Sequence, residues 1–165
     1  RHTVRFRPHA ETAVDALVFA ELAQQMQVDA WVRAIELYRA PFLQGIYLDG
    51  TPEMEDWVRQ VQEHLHQQAL DTLDRLAWRY TQETAYAEAL RYARQALALA
   101  PWRESALRQV MLLLARSGQP EAAVAQYRRC CAALMEELGV EPAQIGAELC
   151  LRVRDRFFAA RGPRD

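Results

Sequence analysis

The feature that most constrains the fold is a pattern of large and small apolar residues that occurs twice, about 34 residues apart. The first copy consists of Leu73, Leu76, Ala77, Tyr80, Tyr86, Ala89 and Ala96. The second copy consists of Leu107, Val110, Leu114, Ala123 and Tyr127, with Gly118 between its halves. Small residues allow two helices to approach closely, and the larger residues beside them fill the remaining space. The pattern therefore predicts closely packed pairs of helices.

This spacing resembles the tetratricopeptide repeat, whose closing proline corresponds to Pro101. The second copy departs from that repeat at Met111, where a small residue is expected, and at Met135, where proline is expected. We predict an all-α, tetratricopeptide-like fold of antiparallel helix pairs, about seven helices in all, with an irregular helical bundle as the alternative. One continuous apolar interior is predicted to contain Leu76, Ala77, Ala89, Val110 and Ala123.

Apolar stripes at helical spacing and Pro or Gly breaks mark the other helices. One stripe consists of Val14, Leu17, Val18, Leu22 and Met26. A second contains Trp31, Ile35 and Tyr38, and residues 40–45 then break the helix with Pro41 and Gly45. Thr51 followed by Pro52 and carboxylates is typical of a helix start. A last helix is predicted from Ile145, Leu149, Val153 and Phe157.

Only the start of the chain has the alternation of a strand. Residues 3–7 alternate polar and apolar side chains before Pro8 ends the pattern. Because a lone strand cannot satisfy its own backbone groups, and the first residue is Arg1 rather than Met, we expect the end of a preceding domain here. The predicted organisation is a remnant over residues 1–10, a helical domain over 11–160 and a disordered tail over 161–165.

The composition limits which binding partners and which cellular compartment we expect for this chain. A formal net charge of -2 argues against general affinity for nucleic acid, which requires many basic groups facing phosphates. No segment approaches the roughly 20 apolar residues of a membrane span. Cys130 and Cys131 are helix neighbours that do not face each other, and with Cys150 they are typical of buried thiols in a reducing cytoplasm.

No set of residues predicts catalysis, a metal site or a cofactor. His64 and His66 lie two apart on a helix and cannot both hold one metal. The sequence contains no Gly-rich phosphate loop and no nucleophile elbow. The carboxylates at Glu53, Glu55 and Asp56 are explained by the dipole of the helix that starts there. We therefore expect a protein that is not an enzyme.

Several ordered motifs resemble one family. Residues 34–45 (AIELYRAPFLQG) resemble a "LYRGPFL" segment of the bacterial transcriptional activator domain, and residues 53–57 resemble its acidic-aromatic helix start. Residues 101–104 (PWRE) resemble its proline-Arg-Glu turn, and residues 127–142, ending in ELGVEP, resemble its strongest signature. The sequence departs from the family pattern after Pro142, where Ala143, Gly146 and Cys150 stand.

The resemblance implies a setting and partners. The family's domain follows a winged helix-turn-helix domain in activators such as the antibiotic regulatory proteins (SARPs), which implies that residues 1–7 are the last strand of that domain. It also implies protein partners, namely a second copy, neighbouring domains or the transcription machinery. DNA would be contacted mainly through the adjacent domain. The implied function is a regulatory module that supports dimerisation and the winged helix-turn-helix.

The candidate binding residues lie on the concave face that a tetratricopeptide array would form, where first-helix side chains line a groove for a protein segment. Repeat position selects Asp71, Asp74, Trp78, Ser105, Arg108, Leu112 and Arg116. In the alternative interpretation Trp78 is buried against the first helices and the charges are only solvated. The competing function is a peptide-binding tetratricopeptide adaptor or a sensor module of a signalling ATPase.

Overall fold

The computed structural model describes residues 14–46 and 51–138 together with Leu151. Its six helices are α1 (Asp15–Gln24), α2 (Val28–Leu37), α3 (Pro52–Gln82), α4 (Tyr86–Leu99), α5 (Glu104–Arg116) and α6 (Pro120–Leu138). The prediction of an all-helical chain is thus confirmed for the described residues. The predicted strand at residues 3–7, the last helix from Ile145 to Phe157 and the tail lie outside them. The chain forms two compact units, Arg1–Thr72 and Leu73–Asp165, which divide within α3.

The first unit contains α1 packed against α2. The buried side chains of these helices are mostly small: Phe19, Ala23, Ala30 and Ala34. The predicted stripe is wrong at two positions, because Leu17 is 57% exposed and Met26, which lies beyond the end of α1, is 85% exposed. Its other members, Val14, Val18 and Leu22, are half-buried. Apolar residues occur on nearly every side of α1, so periodicity alone does not select its packed face. The alanines mark that face because they allow close helix approach.

The predicted break after α2 is a turn with two residues in the left-handed region, Leu43 at φ 56 and Gly45 at φ 78. The Gln62 side-chain amide donates a hydrogen bond of 2.6 Å to the carbonyl oxygen of Phe42. The Phe42 ring also meets the Trp57 ring edge-on, with 6.0 Å between centroids. These contacts attach the turn to α3.

The start of α3 at Pro52 confirms the helix start predicted at Thr51. The Thr51 carbonyl accepts the first hydrogen bond, from the backbone N–H of Met54 at 2.9 Å. A hydrogen bond from the Thr51 side chain lowers the pKa of Glu53, and the carboxylates of this first turn complement the helix dipole. Further along α3, His66 Nδ1 hydrogen-bonds the Tyr38 hydroxyl at 3.2 Å. Burial raises the pKa of Tyr38.

The second unit consists of the end of α3 from Leu73 onward and helices α4, α5 and α6. Helix α5 packs against both α4 and α6. The residues predicted to share one interior all have 0% exposure: Leu76, Ala77, Ala89, Val110 and Ala123. Met111, where a small residue was expected, is also fully buried. The predicted burial of the repeat is confirmed at these positions.

Helices α3 and α5 end in the same way. Thr84 follows α3 with φ 58, and Gly118 follows α5 with φ 76. In each case the next residue returns a hydrogen bond to the last turn, from Ala85 to the Tyr80 carbonyl at 3.0 Å and from Gln119 to the Leu114 carbonyl at 2.9 Å. This left-handed C-terminal cap satisfies carbonyls that the helix leaves free and turns the chain toward the next helix.

Candidate protein-binding surface

Helix α5 is buried over most of its circumference. Its buried side chains are Ala106, Leu107, Val110, Met111, Leu113 and Leu114. Its exposed side chains are Ser105, Arg108, Leu112 and Arg116, which we name the α5 strip. They are the same α5 residues that repeat position selected as candidate binding residues. The structure therefore places these four on the surface, and their role in binding remains a prediction.

The α5 strip carries an apolar residue between two positive charges. Leu112 is 38% exposed and lies one helical turn from Arg108 on one side and from Arg116 on the other. The two arginines are therefore two turns apart, about 12 Å along the helix axis. Among the described residues, neither guanidinium forms an ion pair with a carboxylate. The strip can thus accept negative charge at both ends.

An arginine outside the predicted set connects α3 to the start of α5. Arg103 Nη2 lies 2.9 Å from Asp74 Oδ2, and Arg103 Nε donates a hydrogen bond of 3.1 Å to Ser105 Oγ. Two of the predicted residues, Asp74 and Ser105, are brought together in this way. Both partners of the ion pair are partly exposed, so solvent screens it and we expect it to contribute about 1 kcal/mol or less.

Trp78 extends this surface along α3. It follows Asp74 by one turn and so lies on the same face of the helix. Its side chain is 61% exposed, so the alternative in which Trp78 is buried is wrong. Trp78 and Leu112 occupy the same position in the two copies of the repeat, and both are exposed. Each copy thus presents a large apolar side chain to solvent at this position.

Asp71 is placed differently from the other candidates. It belongs to the first compact unit, where its carboxylate accepts a hydrogen bond of 2.9 Å from Gln67 four residues earlier. The surface described in the second unit therefore consists of the other six predicted residues and Arg103. Sequence reasoning missed Arg103 as a site residue, although it lies in the PWRE turn, because its contact with Asp74 depends on how the helices pack.

The first unit has an apolar groove that the sequence did not predict. It has a volume of about 630 Å³. Its apolar lining includes Leu17, Phe42, Trp57, Val61 and Leu65. The signals that point to it are Leu17 and Trp57, which are 57% and 48% exposed. Large apolar side chains that remain in water indicate a contact surface when they cluster.

Within residues 14–46 and 51–138, no group of three His, Cys, Asp or Glu side chains is arranged to hold a metal ion. His66 is engaged with Tyr38, while His64 is exposed at the edge of the first-unit groove. No helix in the described part of the chain is long and apolar enough to cross a membrane.

Comparison with known proteins identifies the family. Residues 3–154 match the bacterial transcriptional activator domain. A comparison with curated proteins gave no match. The match spans most of the 165 residues and covers most of each compact unit, with the α5 strip and Trp78 inside it. This family is one of transcription regulation and is not an enzyme family. The chain therefore belongs to the bacterial transcriptional activator domain family.

Proposed function

We propose that this domain is the regulatory and interaction part of a bacterial DNA-binding transcription activator of the SARP type. It acts through contacts with other proteins, supports dimerisation and positions an adjacent winged helix-turn-helix domain. The observation that carries this proposal is the set of exposed residues on α5 and α3 in a member of an activator family. Exposed Trp and Arg side chains are typical of protein-binding surfaces, and Arg108 and Arg116 form no ion pair among the described residues.

The proposal includes the arrangement of the second unit as tetratricopeptide-like antiparallel pairs. Its support is that equivalent positions of the two repeat copies share the same burial. Leu76 and Val110 are fully buried, whereas Trp78 and Leu112 are exposed. A repeat of this kind leaves the first helix of each pair accessible along one face, where protein segments bind.

A reporter assay tests the proposed function. The 165-residue chain is fused to an unrelated bacterial DNA-binding domain, and transcription is measured from a promoter that carries the matching operator. We expect activation above that of the DNA-binding domain alone, and we expect Arg108→Glu combined with Arg116→Glu to reduce it. The matched control is Arg94→Glu combined with Arg128→Glu, which changes the charge equally at exposed positions of α4 and α6. No activation by the unchanged fusion would contradict the proposal.

The exposure of Trp78 and Leu112 also favours a second candidate function, a peptide-binding adaptor or a sensor module of a signalling ATPase. Such a module recognises a protein segment by the same surface but has no effect on transcription when brought to a promoter. Saturable binding of a peptide together with an inactive reporter fusion would favour this alternative. Activation by the fusion would favour the regulatory function.

A further inference from the structure

We infer that the α5 strip and Trp78 bind an acidic amphipathic helix of a protein partner. This inference rests on the proposed function and names the chemistry of the partner that the surface recognises. It follows from three properties of the surface, which are the spacing of its charges, the apolar residues between them and the small number of its basic groups.

The spacing of the two arginine charges indicates that the partner segment is a helix. Arg108 and Arg116 lie about 12 Å apart along α5. A helix that lies alongside α5 presents two carboxylates at that distance when they are seven or eight residues apart, which is two turns. An Arg guanidinium binds a carboxylate through two parallel N–H donors, so each pairing also fixes orientation. Both guanidinium groups are exposed and have no carboxylate partner among the described residues.

The apolar residues supply the contact between the charges. Leu112 lies midway between Arg108 and Arg116, so an apolar side chain midway between the two carboxylates meets it. Trp78 adds a second apolar surface from the face of α3 that Asp74 and Arg103 connect to the start of α5. A large aromatic side chain that is 61% exposed has most of its area left to bury on binding. An amphipathic helix laid against such a surface uses residues one turn apart as anchors.

The basic groups are too few for nucleic acid. A phosphate backbone needs many cations along its length, whereas this surface offers two unpaired arginines and a third, Arg103, that already binds Asp74. The Asp74 carboxylate on α3 and the net charge of -2 also oppose a polyanion. A short partner with two well-placed carboxylates fits the surface better.

The experiment measures binding of a labelled synthetic helix to the 165-residue chain by fluorescence anisotropy. The probe is an alanine-based peptide of about 18 residues, long enough to form a helix, with Glu, Leu and Glu at four-residue steps. One control peptide has Lys in place of Glu, and another has Ser in place of Leu. We expect saturable binding of the probe that weakens severalfold as salt rises, and no saturable binding of the Lys peptide. Equal binding of the Glu and Lys peptides would overturn the inference.

Variants of the chain locate the site. Arg108→Glu with Arg116→Glu should weaken binding at least about tenfold, because attraction becomes repulsion at both ends of the strip. Trp78→Ala should weaken it about tenfold and Leu112→Ala severalfold. Arg94→Glu with Arg128→Glu is the matched control and should leave the affinity within about twofold. Circular dichroism of each variant shows whether the fold is retained. Equal loss in the control pair and in the strip variant would overturn the assignment to this surface.

Three further outcomes decide between the inference and the proposed function. If sedimentation shows that the chain self-associates through the strip, so that the Arg108→Glu, Arg116→Glu variant is monomeric while the peptide never competes, the occupant is a second copy and the inference is wrong. If the reporter fusion is active but the Glu peptide does not bind, the inference is again wrong while the proposed function stands. If the fusion is inactive and the peptide binds, the proposed function fails and the surface assignment survives.

Discussion

Two residues that end helices, Thr84 and Gly118, show how the same backbone geometry is met by different side chains. Both lie in the left-handed region, at φ 58 and φ 76, and both follow the first helix of a repeat copy. Glycine adopts this conformation without steric cost, whereas a β-branched residue is strained there. The first copy of the repeat therefore retains strain at a position where the second copy has none.

Thr84→Gly is expected to stabilise the chain by about 0.5 to 1 kcal/mol, because relief of the strained conformation exceeds the added freedom of the unfolded chain. Gly118→Ala is expected to destabilise it by about 1 kcal/mol, since a methyl group there favours other backbone conformations. No atom lies within 4 Å of a Cβ placed on Gly118, so a steric clash does not contribute. Urea unfolding followed by circular dichroism measures both changes. A lower unfolding midpoint for Thr84→Gly would contradict the cap assignment.

The sequence predicted buried residues well where large and small side chains alternate in the repeat. Leu76, Ala77 and Ala89 are fully buried as expected. The prediction was wrong at Leu17 on α1 and at Met26 just after α1, which were both assigned to the packed face and are exposed. In a helix with apolar residues on most sides, the size of a side chain does not reveal which face another helix approaches. That choice depends on the complete packing of the unit.

At the scale of whole elements, the helices of the second unit depend on small residues at their contacts. Ala77 on α3 and Ala89 on α4 are both fully buried. The rings of Tyr80 on α3 and Tyr92 on α4 stack with 5.6 Å between centroids. Close approach of helices leaves no volume for a longer side chain at such positions. The alanines therefore limit which residues the contacts accept.

Ala77→Leu is expected to destabilise the chain by about 1–3 kcal/mol, because the added methylene groups force neighbouring side chains or helices to move. Ala98→Leu is the control, since Ala98 lies on the exposed side of α4 and the same change there adds no volume to the interior. Thermal unfolding of both variants measures the difference. If the two substitutions shifted the midpoint equally, the close packing at Ala77 would be refuted.

Helix positions were predictable because local residues determine them. Pro52 begins α3, Gly118 follows α5, and the break at Pro41 separates α2 from α3. The link from Arg103 to Asp74 was not predictable, since it joins residues of different helices by side chains that many other positions also carry. The α5 residues of the candidate surface were therefore predicted from their repeat position. Their connection to α3 became visible only in the structure.

On the scale of the whole molecule, the net charge affects whether the isolated chain can bind DNA. With a net charge of -2 and an isoelectric point near 6.1, its overall field repels a polyanion at neutral pH. Under the proposed function, the affinity for DNA comes from an adjacent domain.

The isolated 165-residue chain is expected to show no binding to duplex DNA at micromolar concentration and physiological salt, because affinity for the phosphate backbone requires many basic groups. An electrophoretic mobility shift assay with a duplex of arbitrary sequence measures this. The positive control is the chain fused to an unrelated DNA-binding domain, tested on a duplex that carries the matching operator. A salt-sensitive shift by the unfused chain would contradict the proposed division of roles.

The separation of α5 into a buried side and an exposed side affects how specificity for a new protein partner can arise. Residues that hold the fold together and residues available to a partner form separate sets on one helix, with Val110 and Leu114 in the first and Arg108 and Leu112 in the second. Substitution of the second set is expected to affect the interior less than substitution of the first. Substitutions at the exposed positions, whether designed or evolved, can therefore change which protein is recognised while the fold keeps its stability.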